Sequence, residues 1–478
     1  MTHLINRLQF QVQYSEEAQA FNLRQNFAVT FQEQIIEAVD VICSKYVSEE
    51  EWLRIDKLEI NLGHFTPHAF DVNFPALFKN KFEKELKQKL SGISPAQKKA
   101  SLQISKAELF QYFLRNGTLP SWADGAEVNL DEISVDILLH QPEGMSRFFY
   151  KNRFRANVWK RVAFQLNEEA KALIVSLIEE LKNAKAVFKT LLQEVMLSIK
   201  EKTGRAPAGY DMPIDDIIIK NAHAIFQHPE DKAKLWSIAE ENAENIFTKH
   251  AALALQIIQD QKALLANQEN NESKYNSQGS KPQWETGIEA FPLGHVLDNE
   301  IIYSGSAEEN SKEERYFVKH SGIVLLALFL KPFFINLGLL DNTEWKNKEA
   351  QHKAIHLLKY LSTGQQKIPE YNLTLEKIIC GVAIDEPIPI NVVLSDVEMK
   401  EAEMLLGSVI EHWKALKNTS VNGLREGFVK RDGSLKKQEN GWLLQVERKT
   451  LDVLIDSIPW GYSTIIFPWN PYHLFVEW

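Results

Sequence analysis

The stretch that constrains this chain most is residues 441–478, GWLLQVERKTLDVLIDSIPWGYSTIIFPWNPYHLFVEW, which holds four of the eleven tryptophans. Two of the four stand in Pro-Trp pairs, Pro459-Trp460 and Pro468-Trp469, and the apolar runs between them suit paired strands. Leu474, Val476 and Trp478 alternate with Phe475 and Glu477, the period of a strand with one buried face. Chain ends fray where nothing anchors them, so this pattern predicts an end built into a packed module.

That module is one of several. A chain of 478 residues exceeds one hydrophobic core and predicts roughly two to four domains. A hydrophobic content of 44% with 25% charged residues is ordinary for a globular protein able to bury substantial cores. The formal charge of -10 argues against general nucleic-acid binding, which needs a concentrated basic surface. Cys43 and Cys380 lie far apart within apolar surroundings and read as small buried hydrophobes in a reducing compartment. The opening residues MTHLINRLQFQVQY lack the continuous apolar run of a secretory signal. Residues 323–340 (IVLLALFLKPFFINLGLL) approach spanning length but carry Lys331, Pro332 and Asn336 in their middle. A central lysine alone costs about 2.5 to 3.5 kcal/mol on insertion scales, and proline interrupts the helix. A buried helix pair is the expectation there, and a soluble protein made without an export signal overall.

In chain order, residues 8–13 (QF and QV pairs after Leu8) alternate as a half-buried strand. Ser15, followed by Glu16 and Glu17, caps a helix expected to reach Tyr46. Residues 52–63 form a second strand stopped by Gly63, and a helix over 74–90 completes a small strand-helix-strand domain before a linker at 91–101. From Ser105 the pattern turns helical, with Leu109, Phe110, Phe113 and Leu114 on one face and an ending at Asn116-Gly117 that suits a left-handed glycine cap. A similar ending recurs at residues 360–364, YLSTG. Between about 148 and 268 the chain is almost wholly helix-forming, with a break at 203–213. Laid end to end, about 110 helical residues would reach roughly 165 Å. Lys151, Arg153, Arg155, Lys160 and Arg161 cluster at its start as a solvated face or a contact for an acidic surface. Residues 267–315 are polar and glycine-bearing, a composition that does not bury a core of its own.

Catalytic chemistry finds little support. Neither a phosphate-cradling G-x-x-x-x-G-K-[ST] nor G-x-G-x-x-G occurs. His352 and His356 stand four apart on an expected helix and could share a metal, but Lys353 occupies the position where a zincin carries glutamate. His64 and His68 flank Pro67, which reads as a turn. Asp56 and Glu59 fall on opposite faces of the expected strand, which disfavours a general acid/base pair. No cofactor, no catalytic residue and no metal ligand is expected.

Six blocks in one order then resemble the tape measure proteins of contractile injection systems, the phage-tail-like particles that drive a tube into a target cell. Residues 54–63, RIDKLEINLG, are similar to that family's R-I-D-x-L-E-I-D-L-G, with Arg54, Asp56, Leu62 and Gly63 matching and Asn61 replacing an acid. Residues 113–122 resemble its F-L-x-x-G-x-L-P-W-W through Gly117, Pro120 and Trp122, with Ser121 where a tryptophan is usual. Residues 322–340 are similar to its apolar L-L-x-P-F-L block, and Cys380, Gly381, Glu386 and Pro387 match its C-G-x-x-x-E-E-P. Residues 412–425 nearly reproduce H-W-K-x-L-K-N-T-S-x-x-G-L-R, with His412, Trp413, Lys414, Asn418, Ser420, Gly423 and Arg425. Pro459-Trp460, Pro468-Trp469 and Val476-Glu477-Trp478 resemble its P-W, P-W-M and V-E-W, with Asn470 in place of methionine.

The resemblance covers about residues 1–478 and is densest after Ser321. It implies a structural assembly protein whose folded ends dock on tube, baseplate or terminator proteins while the helical middle occupies or templates the tube. Self-association is compatible with it, as is residence in the tube lumen after assembly in the cytoplasm. An adaptor or chaperone that docks subunits or cargo without setting length is the alternative, and a metal enzyme using His352 and His356 the remote one. The expected fold class is α+β and predominantly helical, with short Trp-rich C-terminal strands. Its divisions are 1–90, a small helical segment at 103–147, a helical middle at 148–266, a linker at 267–315 and a C-terminal domain at 316–478. Trp413, Trp442, Trp460, Trp469 and Trp478 read as core or cap aromatics. Asn418, Thr419 and Ser420 with Gly423 read as a helix end and turn. Arg54, Lys414 and Arg425 are expected to pair with buried carboxylates or carbonyls.

Overall fold

Apolar residues recurring every three or four positions decide where this chain is helical, and most of it is. The computed structural model describes residues 35–46, 55, 57–63, 67–91, 95–120, 122–123, 125, 128–205, 212–229, 231–276, 315–416 and 418–478. They fall into two compact units, Met1–Met145 and Ser146–Trp478.

In the first unit, helix Ile36–Tyr46 packs against helix Pro67–Ser91. Phe74, Phe78, Phe82 and Leu86 recur every fourth residue, line one face and meet Ile35, Val39 and Ile42. Lys45 and the Tyr46 hydroxyl both bond Glu83 Oε1, at 2.8 and 2.9 Å. Along residues 57–63 the expected alternation is present, with Leu58, Ile60 and Leu62 half-buried on this cluster and Lys57, Glu59 and Asn61 exposed. No strand ladder forms there among the described residues, because alternation needs only one buried face whereas a strand also needs a partner's backbone. The strand expected at 8–13, the helix start at Ser15, and Arg54, Asp56 and His64 lie outside the described residues. His68 falls in helix Pro67–Ser91 rather than a turn, since Pro67 stands at the first helical position, where a missing N–H costs nothing. For the same reason Pro95 opens helix Pro95–Asn116 inside the expected linker. That helix ends as expected on Gly117, at φ 74°, whose N–H donates to the Phe113 carbonyl at 2.8 Å. Pro120 is buried and Trp122 half-buried beyond it.

The second unit begins with helices that do not run end to end. Helix Glu179–Thr203 buries Leu181, Ala184, Phe188, Leu191, Leu192, Val195 and Ile199, a stripe that needs lateral cover. Cover comes from helices Glu168–Leu177, Ile214–Lys220, Ala222–Gln227, Lys232–Glu241 and Ala251–Asn276, all packed against it. The segment is therefore a bundle, and its central helix spans only about 37 Å. Trp159 lies between Phe149 (5.3 Å between centroids) and Phe226 (5.4 Å) in its aromatic interior. Helix Ala251–Asn276 continues ten residues past 266.

Residues 315–478 form a lobe of helices on one five-stranded sheet. Its strands are β1 (Arg315–Val318), β4 (Gly433–Gln438), β5 (Gly441–Val446), β6 (Thr464–Ile465) and β7 (His473–Glu477), in the order β1-β4-β5-β7-β6. A separate ribbon pairs β2 (Leu340–Asp341) with β3 (Glu344–Trp345). β5 and β7 run parallel in the register Leu444↔Val476, and the other neighbours are antiparallel. Leu474 and Val476 are buried and Glu477 is exposed, the alternation expected of the chain's end. Residues 323–340 do not make a long helix. A 3-10 turn, Ser321–Leu326, leads into helix Ala327–Asn336, and no described helix is long and apolar enough to cross a membrane.

Candidate functional site

The motif residues of the lobe converge on helix Thr374–Ile379 and the loop that follows it. A helix end leaves carbonyls without partners, and here distant side chains supply them. Asn470 Nδ2 donates to the Ile378 carbonyl at 2.6 Å, and Trp469 Nε1 to that of Ile379 at 2.9 Å. The Cys380 carbonyl accepts from Trp345 Nε1 and Gln351 Nε2, both at 3.0 Å. Gly381, at φ 73°, turns the chain against the Trp469 carbonyl, where an added Cβ would sit at 3.4 Å. The Cys-Gly and Pro-Trp blocks are thus two halves of one helix cap. Asn470 is one of its donors.

Other tryptophans clip in the same way. Trp413, fully buried, donates to the Leu454 carbonyl at 3.1 Å. Trp460 reaches the Leu325 carbonyl at 3.0 Å, and Trp478 reaches Asp452 Oδ2 at 3.0 Å. Trp442 is half-buried and meets Tyr316 edge-on at 6.1 Å. Pro459 and Pro468 are exposed, and Glu477 accepts from Gln445 on the outer face of the sheet. Arg425 donates to the Leu361 carbonyl at 3.0 Å and to Glu403 at 2.5 Å, close against Gly364. Gly364 repeats the ending seen at Gly117, with φ 74° and a bond to the Tyr360 carbonyl. Ser420 accepts from the Gly423 N–H and opens the short helix Val421–Leu424, a helix start where a helix end and turn were expected, and Asn418 is exposed in the turn before it. Lys414 is exposed rather than paired with a buried group, and exposed His412 borders Phe329 at 5.8 Å.

Below that cap, residues 384–390 form the seam between lobe and bundle. Asn157, Arg161 and Gln165 follow one another every four residues on helix Ala156–Gln165, so they share a face. Asn157 donates to the Asp385 carbonyl (3.2 Å), Arg161 Nη2 to the same oxygen (2.6 Å), and Gln165 Nε2 to the Ile388 carbonyl (2.5 Å). The Arg161 guanidinium also forks onto Glu370, at 3.0 Å to Oε2 and 3.2 Å to Oε1. Both side chains are fully buried. Lys377 bonds the same Glu370 Oε1 at 2.7 Å and the Ile384 and Glu386 carbonyls at 2.8 and 2.7 Å. In return the Glu370 N–H donates to Gln165 Oε1 at 3.0 Å, and the Ile390 N–H to the Phe164 carbonyl at 3.4 Å.

The electrostatics follow from burial. Desolvation, reinforced by the Arg161 charge, pushes Lys377 below the usual lysine range despite Glu370. Desolvation likewise raises Glu376, which pairs with Lys359 at 3.0 Å. Burial raises Glu386, but hydrogen bonds from Lys348 and His352 outweigh it and hold the carboxyl below its ordinary value. Burial, with Glu376 nearby, lifts the Cys380 thiol well above its usual range, so it is not a thiolate nucleophile.

The basic cluster read as one face is therefore split. Lys151, Arg155 and Lys160 are exposed, Arg153 stacks on Tyr150 at 4.1 Å, and Arg161 is the buried anchor of the seam. His352 and His356 do not converge either. His352 Nε2 faces Glu386 at 3.2 Å, whereas His356 Nε2 faces the Pro389 carbonyl at 2.8 Å and must be the protonated nitrogen. Among the described residues no group of three His, Cys, Asp or Glu is placed to hold a metal. Asn157, Gln165, Glu370 and Lys377 were missed by motif reading. The available signal was the spacing by four of Asn157, Arg161 and Gln165 within ANVWKRVAFQ, where Lys160 is the one polar residue off that face.

Compared with known proteins, residues 2–478 match the family model described as contractile injection system tape measure protein. No curated protein and no solved structure matches the chain.

Proposed function

The chain belongs to the contractile injection system tape measure protein family, and from that premise we propose that it is a structural assembly factor that templates or sets tube length by binding tube and baseplate components. The observation that carries this reading is the family match over residues 2–478, which takes in the bundle and the lobe together. The lobe, knitted by side-chain caps, is the body that docks on tail parts. The bundle is the part directed to the growing tube. Net charge of -10 favours protein partners over nucleic acid.

Bundle geometry favours keeping a second reading. A central helix of about 37 Å counts little length while it stays folded, and an adaptor that fixes subunits or cargo would need no more. Deleting residues 146–276 and measuring tube lengths by electron microscopy separates the two. A ruler predicts tubes of altered or scattered length. Tubes of unchanged, uniform length overturn the ruler and leave the adaptor.

A further inference from the structure

The seam between bundle and lobe is built differently from either body. The apolar cluster that fills the lobe runs from Val318 to Val476 and, among the described residues, takes in no side chain from residues 146–276. What joins the two bodies at helix Ala156–Gln165 is the polar stripe of Asn157, Arg161 and Gln165 on the carbonyls of residues 385 and 388 and on Glu370.

Hydrogen bonds to carbonyls and a carboxylate can be replaced by water at little net loss, whereas apolar burial has no such substitute. A buried ion pair is likewise close to break-even once desolvation is counted. Glu370 moreover carries its own second cation. Lys377, from the lobe itself, holds Oε1 at 2.7 Å. Parting the bodies thus sends Arg161 into water and leaves no unpaired buried carboxylate behind. The bundle keeps its own interior of Trp159, Phe188, Leu192, Ile218 and Trp236.

We propose that helix Ala156–Gln165 is a releasable latch, through which the bundle parts from the lobe as a folded body while both keep their cores. The inference rests on the seam alone and stands whether the chain is ruler or adaptor. In the family's setting it lets one chain hold its bundle closed before assembly and free it afterwards.

Two backbone amides report on the latch directly, because the N–H groups of Glu370 and Ile390 donate only across the seam, to Gln165 Oε1 and the Phe164 carbonyl. Hydrogen exchange on the full chain should find them exchanging about 100-fold or more faster than lobe-core amides such as those of Trp413 and Val476. Arg161→Met should speed the two seam amides about tenfold further and leave the core amides of both bodies unchanged. Asn157→Ala, at a half-buried position, should do the same to a smaller extent. Seam amides that exchange no faster than the core amides overturn the proposal, as does an Arg161→Met chain in which every amide speeds up together.

Discussion

Gly322→Ala tests how tightly the lobe's apolar core is closed. A Cβ at residue 322 would sit 1.8 Å from the Phe428 carbonyl oxygen, 2.8 Å from its carbon and 2.9 Å from Val429 Cα. Ordinary contact begins near 3.4 Å, so the oxygen must move by about 1.6 Å (3.4 less 1.8). All three atoms are backbone, so no side chain can swing away. The two segments are also tied together, since the Ser321 N–H donates to the Arg431 carbonyl at 2.8 Å. Residues 321–326 are all buried. Overpacking a well-filled core costs about 1 to 3 kcal/mol where side chains can adjust. With backbone on both sides the cost should be at least about 3 kcal/mol, a large part of a net stability of about 5 to 15 kcal/mol. Gly407→Ala is the matched control. Gly407 lies within helix Asp396–His412 with nothing within 4 Å of a built Cβ. There alanine should stabilise by about 0.5 to 1 kcal/mol through helix propensity. Guanidinium unfolding of both variants, followed by tryptophan fluorescence, measures the two shifts. A Gly322→Ala chain within about 1 kcal/mol of the parent would refute the packing argument.

Further outcomes follow from the cap, the seam and the histidines. Asn470→Ala removes the side-chain donor from the Ile378 carbonyl, which keeps the Gly381 N–H at 3.1 Å, and should cost about 0.5 to 1.5 kcal/mol by denaturation. Asn470→Met should cost a similar amount in this chain. Glu370→Gln leaves Arg161 and Lys377 facing each other without an anion, so seam amides should exchange faster in it than in Arg161→Met, where Glu370 retains Lys377. Burial pushes the His356 imidazole down to about 4 and, with nearby lysines, that of His320 to about 3. The unfolded chain therefore takes up protons near pH 6.5 while the folded one resists, so stability is lost as pH falls from about 6.5 towards 4. His356 alone accounts for about 3 kcal/mol of that loss, and His356→Gln should flatten the dependence of the unfolding free energy on pH by about that amount.

The seam was the part least legible beforehand, for a physical reason. Arg161 looks like its neighbours Lys160 and Arg155 in any reading of local charge. Only the position of Glu370, more than 200 residues away, makes it a buried anchor. The histidines show the converse. Spacing by four puts His352 and His356 on one face of helix Lys348–Thr363, but the two Nε2 atoms are claimed by different partners from residues 386–389.

Local pattern by itself determined the helices, the glycine caps at residues 117 and 364, the alternating final strand and the family to which the motif blocks belong. Those features depend on neighbours a few residues away, which the order of amino acids states outright. Tertiary structure alone decided that the helical middle closes into a bundle instead of a thread. It also decided that Trp469 and Asn470 complete a helix end begun at residue 374, and that a polar stripe rather than an apolar core joins bundle to lobe. Each of these depends on which distant carbonyl or carboxylate arrives opposite a side chain, and spacing along the chain carries no record of that.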